Sequence, residues 1–231
     1  MLTSRTSTIL GIGVGLSLVA GISQPAQAAI IGVSGNGIIG DGVGADLRDG
    51  RTESASIFGF TEQQSVTIDS PLNVDYSISD DDIGQQLTGI NNPAANSPTL
   101  GIGTYNSVLL HFDPLGNGGG QIVDTTFTLS GDIVAIVANA TFLAQSDSAF
   151  GVASFYQNSV ERRAESTDRF TIVASNTIRV DSFGISSALS DNLRVITTAV
   201  PTDAVPEPLT VIGSICALGL GAAARRRQQA R

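Results

Sequence analysis

The sequence predicts an all-β fold, a β-sandwich of jelly-roll-like type, flanked by a signal peptide and a carboxyl-terminal transmembrane helix. Three observations carry that expectation. Short apolar runs, several alternating with polar residues, recur between turn signals through the middle of the chain, which is the period of strands rather than helices. The 231 residues include 26 glycines and only 5% aromatics, a composition suited to many short strands joined by tight turns. A predominantly apolar, uncharged run stands near each end, Ile9 to Ile22 and Leu209 to Ala224.

The amino-terminal segment carries Arg5, an apolar run from Ile9 to Ile22, and then Ala26-Gln27-Ala28. A helix of about 14 residues is roughly 21 Å long, short of a bilayer core of roughly 30 Å. Small residues at an A-x-A site follow it, so residues 1–28 read as a secretory signal peptide that signal peptidase cuts between Ala28 and Ala29. At the other end, the 16 residues from Leu209 to Ala224 carry no charge and are closed by Arg225, Arg226 and Arg227. This length is marginal for a membrane span. The arginines would stay on the cytoplasmic side, leaving residues 29–204 outside. Pro206 and Pro208 remove backbone donors and keep that helix from running back into the domain. Residues 205–231 therefore form a separate anchoring segment, and a permanent tail anchor is one use for it.

Val205-Pro206-Glu207-Pro208, the apolar segment and the arginine cluster, in that order, resemble the PEP-CTERM sorting signal of exopolysaccharide-producing Gram-negative bacteria and cyanobacteria. The resemblance covers about the last 25 residues. It implies recognition by exosortase, a membrane enzyme resembling cysteine transpeptidases, which cuts near the Pro-Glu-Pro motif and releases or transfers the protein to the surface. Cys216 lies inside the apolar segment and reads as a membrane-buried apolar residue.

Between the ends, Ile30 to Gly50 mixes apolar pairs with the turn signals Asn36-Gly37, Asp41-Gly42 and Asp49-Gly50. The stretch from Ala55 to Asp69 reads as strand. Leu72, Val74, Tyr76 and Ile78 alternate with polar residues as a half-buried strand. Ser79 to Gly103, with two prolines and little periodicity, reads as a long surface loop. Val108, Leu110 and Phe112 mark the next strand, with His111 on its other side, and a glycine-rich stretch separates it from the strand around Ile122 to Leu129. The run Ile133 to Ala138 reads as a strand buried on both faces. A short helix is expected around Phe142 to Gly151. Asp168 to Ile185 reads as a hairpin turning near Ser175-Asn176, and Asp191 to Thr197 as a final strand. The count is eight to ten strands, with no fixed-period repeat.

Composition excludes several functions. Residues 29–205 carry 20 acidic side chains against 7 arginines, a net charge of 7 − 20 = −13, and the chain has no lysine. Such a field repels nucleic acid and anionic lipid. The one cysteine lies in the tail, so the exported domain forms no disulfide. One histidine, His111, and no G-x-S-x-G elbow leave no catalytic residue to assign, even with Ser107 formally available as a nucleophile. The usual zinc ligand set is absent. Asp80 and Asp82, in an Asp-Asp-Asp run, are candidate ligands of a weak calcium site, and Asp41, Asp46 and Asp49 form a second acidic cluster. Asn139-Ala140-Thr141 fits the N-glycosylation pattern but follows a buried strand.

The core stretches IFGFTEQQSVTI, LLHFDPLG, SGDIVAIV, AQSDSAFG and SDNLRVIT are similar to a group of exported bacterial proteins, many with this same tail. That resemblance implies no activity. The expectation is a non-enzymatic surface or extracellular-matrix protein that starts as an inner-membrane-anchored precursor, is sorted by its PEP-CTERM tail and associates with exopolysaccharide. The alternatives are a lectin-like carbohydrate-binding module, calcium-dependent or not, and a glycan-active hydrolase. Only three tyrosines and no tryptophan are available for stacking on sugars.

Overall fold

The computed structural model describes residues 30–40, 55–89, 96–113, 121–151, 163–184 and 190–199. In chain order its strands are β1 (Ile30–Ser34), β2 (Gly37–Gly40), β3 (Ile57–Thr61), β4 (Val66–Ile68), β5 (Leu72–Asn73), β6 (Tyr76–Ser77), β7 (Gln86–Thr88), β8 (Thr99–Leu100), β9 (Gly103–Phe112), β10 (Gln121–Leu129), β11 (Ile133–Val137), β12 (Arg169–Ala174), β13 (Thr177–Gly184) and β14 (Asp191–Thr198), with helix α1 (Ala140–Phe150) between β11 and β12. The protein is therefore an all-β fold carrying one α-helix among the described residues.

Two sheets dominate. One has five strands in the order β1-β10-β13-β12-β7, and the other has seven, β2-β3-β9-β14-β11-β6 with β4 also against β9. The one parallel pairing among the described strands is β2 with β3. Alternation along the central strands divides the core in two. Val108, Leu110 and Phe112 of β9 and Leu193 and Val195 of β14 meet Phe127, Phe170, Ile172, Ile178 and Val180 of the five-stranded sheet in one apolar cluster. The residues between them, Leu109 and Ile196, join Phe142, Leu143 and Phe150 of α1 in a second cluster. The seven-stranded sheet is thus buried on both faces, between its partner sheet and the helix. This explains the unbroken burial of Asp191–Thr197 and of Asn106–Phe112.

The helix lies where the sequence expects one. Asn139 caps it, its side chain accepting from the Phe142 N–H at 2.9 Å. The same asparagine is held by Asp75, whose Oδ2 accepts from the Ala138 and Asn139 N–H groups at 2.6 and 2.9 Å and whose Oδ1 accepts from the Asn139 side chain. The hairpin at Ser175-Asn176 joins β12 to β13 as expected, and Ile133–Ala138 is buried apart from a half-buried Val134.

Three expectations are corrected. Residues 72–78 are not one strand: β5 pairs with β8 and β6 with β11, because the chain turns at the buried Val74 and Asp75 to put the Asp75 carboxylate under the helix start. Residues 79–103 are not simply a loop, since β7 adds to the edge of β12 and β8 pairs with β5. Both are two or three residues long, below the length at which alternation can be read. Among the described residues the strand count rises to fourteen for the same reason: short strands, and the division of residues 55–69 into β3 and β4 at Ser65, which sits at φ 53°. The segments expected to form a signal peptide, residues 1–28, and a carboxyl-terminal transmembrane helix lie outside the described residues. Among those described, no helix is long and apolar enough to cross a membrane.

Gly35 ends β1 at φ +74°, and a Cβ there would stand 2.4 Å from the Asp124 carbonyl oxygen. Gly35→Ala is expected to cost about 2 kcal/mol, combining left-handed backbone strain with displacement of β10. Urea unfolding of the variant beside the wild type measures it, and a change within about 0.5 kcal/mol would contradict that close approach.

Candidate functional site

The polar groups buried on the helix side of the seven-stranded sheet form the most developed side-chain constellation. Arg194, in the centre of β14, is fully buried and is the largest such side chain. Its Nε and Nη2 donate to Glu62 Oε2 and Oε1, both at 2.7 Å, in a two-pronged ion pair. Nη2 also donates to Asp147 Oδ1 at 2.8 Å, while Nη1 donates to the Leu143 carbonyl at 3.1 Å and to the Ser146 hydroxyl. Ser107 on β9 donates to Glu62 Oε2 at 2.5 Å. One guanidinium therefore ties β14, the β3–β4 connection and α1 together, and its charge is matched by two carboxylates.

His111, the one histidine of the chain, is buried on β9. Its Nδ1 lies 3.0 Å from Asn192 Oδ1. Asn192 in turn donates to the Ser190 carbonyl and hydroxyl at 3.1 and 2.9 Å. Ser107 lies four residues away on the same strand, about 13 Å at strand rise, and its hydroxyl is committed to Glu62. These two residues do not form a nucleophile–base pair.

A second group of acids lies where β14 begins and the turn before β12 ends. Asp168 is buried, and its Oδ2 and Oδ1 accept from the Glu165 and Gly184 N–H groups at 2.5 and 3.0 Å. Burial, opposed by those two hydrogen bonds, pushes its carboxyl up to about 6. Asp191 is 1% exposed, and neither of its carboxylate oxygens has a hydrogen-bond partner among the described residues. Burial foremost, then the charges of Asp168 and Glu165, pushes it up to about 9. Such a group stays protonated at neutral pH. Two carboxyls with displaced affinities are what acid–base chemistry uses, yet both are sealed from solvent here, and solvent-sealed groups reach no extended glycan.

No family model, curated protein or solved structure matches the chain.

The sequence-derived candidates are placed as follows. Asp80, Asp81 and Asp82 form a single 3-10 turn, in which Asp82 Oδ2 accepts from the Ser79 N–H at 2.8 Å and its hydroxyl at 2.7 Å. Asp82 thus has a local capping role. Among the described residues no group of three or more histidine, cysteine or carboxylate side chains is arranged to hold a metal. Asn139 is buried beneath the helix with its side-chain amide on Asp75, a position closed to a glycosyl group. Tyr76 donates to the Thr88 carbonyl at 2.7 Å and packs edge-on against Phe170, and Tyr105 donates to the Gly101 carbonyl at 3.1 Å. Ala28, Ala29, Val205, Pro206, Glu207, Pro208, Arg225, Arg226 and Arg227 lie outside the described residues, as do Asp41, Asp46 and Asp49.

Sequence reading missed the Arg194–Glu62 pair and the Asp168–Asp191 pair. The signal for the first was present: an arginine inside Leu193-Arg194-Val195-Ile196, where an apolar residue is expected, demands a buried counter-charge. No comparable signal marks Asp191, which stands at a strand start, an ordinary place for an exposed aspartate.

Proposed function

We propose that this chain is an exported, non-enzymatic surface or extracellular-matrix protein, sorted through a PEP-CTERM tail and associated with exopolysaccharide. The observation that carries the reading is the ordered set at the carboxyl end, Val205-Pro206-Glu207-Pro208, a 16-residue uncharged segment and Arg225-Arg226-Arg227, on a chain that opens with a signal-peptide pattern. Signal peptidase and exosortase are its processing partners, and the carboxyl-terminal helix holds the precursor in the inner membrane until the cut. The exported part is read as a β-sandwich of jelly-roll-like type. The two-sheet core supports this, with one cluster drawing side chains from both sheets. The use of Arg194, Glu62, Asp75 and Asn139 in holding helix to sheet fits a scaffold whose polar groups serve stability.

Intact-mass spectrometry of the protein from its own host, beside a variant with Pro206, Glu207 and Pro208 replaced by alanine, tests the reading. The expected wild-type mass lacks Met1 to Ala28 and the residues beyond the Pro-Glu-Pro region, while the variant keeps its tail. An intact tail in both proteins would make this a permanently anchored protein instead.

A further inference from the structure

The border of the two sheets formed by β1 and β2 differs from every other sheet edge among the described strands. β1 ends the five-stranded sheet and β2 ends the seven-stranded one, and the turn at Gly35-Asn36 carries the chain directly from one to the other. Both strands therefore lie at the same rim. There Ile31, Val33, Ile38 and Ile39 are 60, 36, 42 and 47% exposed. The opposite edges are short: β7 has three residues, two of them Gln86 and Thr88, and β6 has two. Edge strands are ordinarily protected by charge, proline or brevity. Residues 29–40 contain neither a charged residue nor a proline.

We propose that the strip Ile30–Gly40 is a self-association surface, on which two copies of this chain pair through their β1 edges about a two-fold axis. Antiparallel pairing of β1 with its counterpart supplies partners for the outward backbone N–H and C=O groups, makes one continuous sheet from the two five-stranded ones, and covers Ile31 and Val33. The charge pattern selects a second copy as occupant. The chain carries −9 overall and −13 between Ala29 and Val205, so two copies repel wherever acids face each other. They can approach closely only at an uncharged patch present on both, and a two-fold axis places this strip upon itself. Cleavage after Ala28 would start the mature chain one residue before β1, leaving no upstream segment to cover the edge. That last point rests on the export reading; the exposure and charge arguments do not.

Sedimentation velocity of the host-purified protein, from low micromolar concentration upwards, tests the proposal. The expected result is a concentration-dependent dimer whose association weakens at least about tenfold in Ile31→Glu/Ile39→Glu, while the two proteins melt at the same temperature at a concentration where both are monomeric. A Cys216→Ser/Ile31→Cys variant should form a disulfide-linked dimer on mild oxidation. A wild type that stays monomeric, or a dimer equally strong in the glutamate variant, would overturn the proposal. Intact mass on the same sample keeps the two readings apart: a processed monomer defeats the dimer alone, and an unprocessed dimer sensitive to the glutamates defeats the sorting reading alone.

Discussion

Arg194→Ala is expected to destabilise the protein by roughly 3–5 kcal/mol, because it strands the buried Glu62 carboxylate without its counter-charge. Glu62 is 6% exposed and takes both of its guanidinium bonds from Arg194. The same substitution leaves the Ser146 hydroxyl and Asp147 without their guanidinium partner, and removes the link between α1 and β14. Against a typical total stability of about 5–15 kcal/mol, this is a large fraction. Glu62→Ala should cost a similar amount for the converse reason, a buried cation without its main partner. The double variant Glu62→Leu/Arg194→Met should recover most of either loss, since an apolar pair of comparable volume avoids both desolvation penalties. Urea unfolding of the three variants reads the cycle. Single losses below about 1 kcal/mol would mean that water reaches the pair and that α1 is not held as described.

The sequence exposes the parts of this fold that depend on period and length. The long central strands β9, β11 and β14, the β12–β13 hairpin and the helix after Asn139 were all readable, because each is long enough to show alternation or carries a turn or cap residue of its own. The short strands β5 to β8 were not, because two or three residues have no period, and their pairing depends on what lies beside them. Burial of both faces of the seven-stranded sheet was legible only at Ile133–Ala138, where the apolar run is continuous. On β9 and β14 most helix-facing positions are polar, Ser107, His111, Asn192 and Arg194, with Leu109 and Ile196 the apolar exceptions, so their alternation resembles that of a strand with one solvent face. Their hydrogen bonds to Glu62, Ser146, Asp147 and to each other make burial tolerable. Arg194 inside its apolar run calls for a buried counter-charge, but Glu62 lies more than a hundred residues away along the chain, and nothing local says which carboxylate answers.

Asp191→Asn is expected to stabilise the protein at neutral and alkaline pH, by roughly 3 kcal/mol near pH 8. The folded carboxyl is pushed up to about 9 from an ordinary value of 3.8, by burial and by the neighbouring Asp168 and Glu165. Each pKa unit corresponds to about 1.4 kcal/mol, and even half of that displacement gives the stated size. The sign follows from linkage. Between about pH 4 and pH 9 the unfolded chain has released this proton and the folded protein still holds it, so the folded state binds more protons and stability falls as pH rises. Asp168, pushed up to about 6, adds to the fall over the lower part of that range. The wild type should therefore lose melting temperature steadily from pH 5 to pH 9, and Asp191→Asn, which places an uncharged amide where the protonated acid stood, should flatten the upper part of that profile. Asp168→Asn should behave differently. It would relieve a smaller upward displacement but lose an acceptor for the Gly184 and Glu165 N–H groups, so it should destabilise at every pH. Thermal melts of the three proteins at pH 5, 7 and 9 decide it. A wild-type profile that rises toward pH 9, or an Asp191→Asn profile parallel to it, would show that Asp191 is ionised and satisfied in solution.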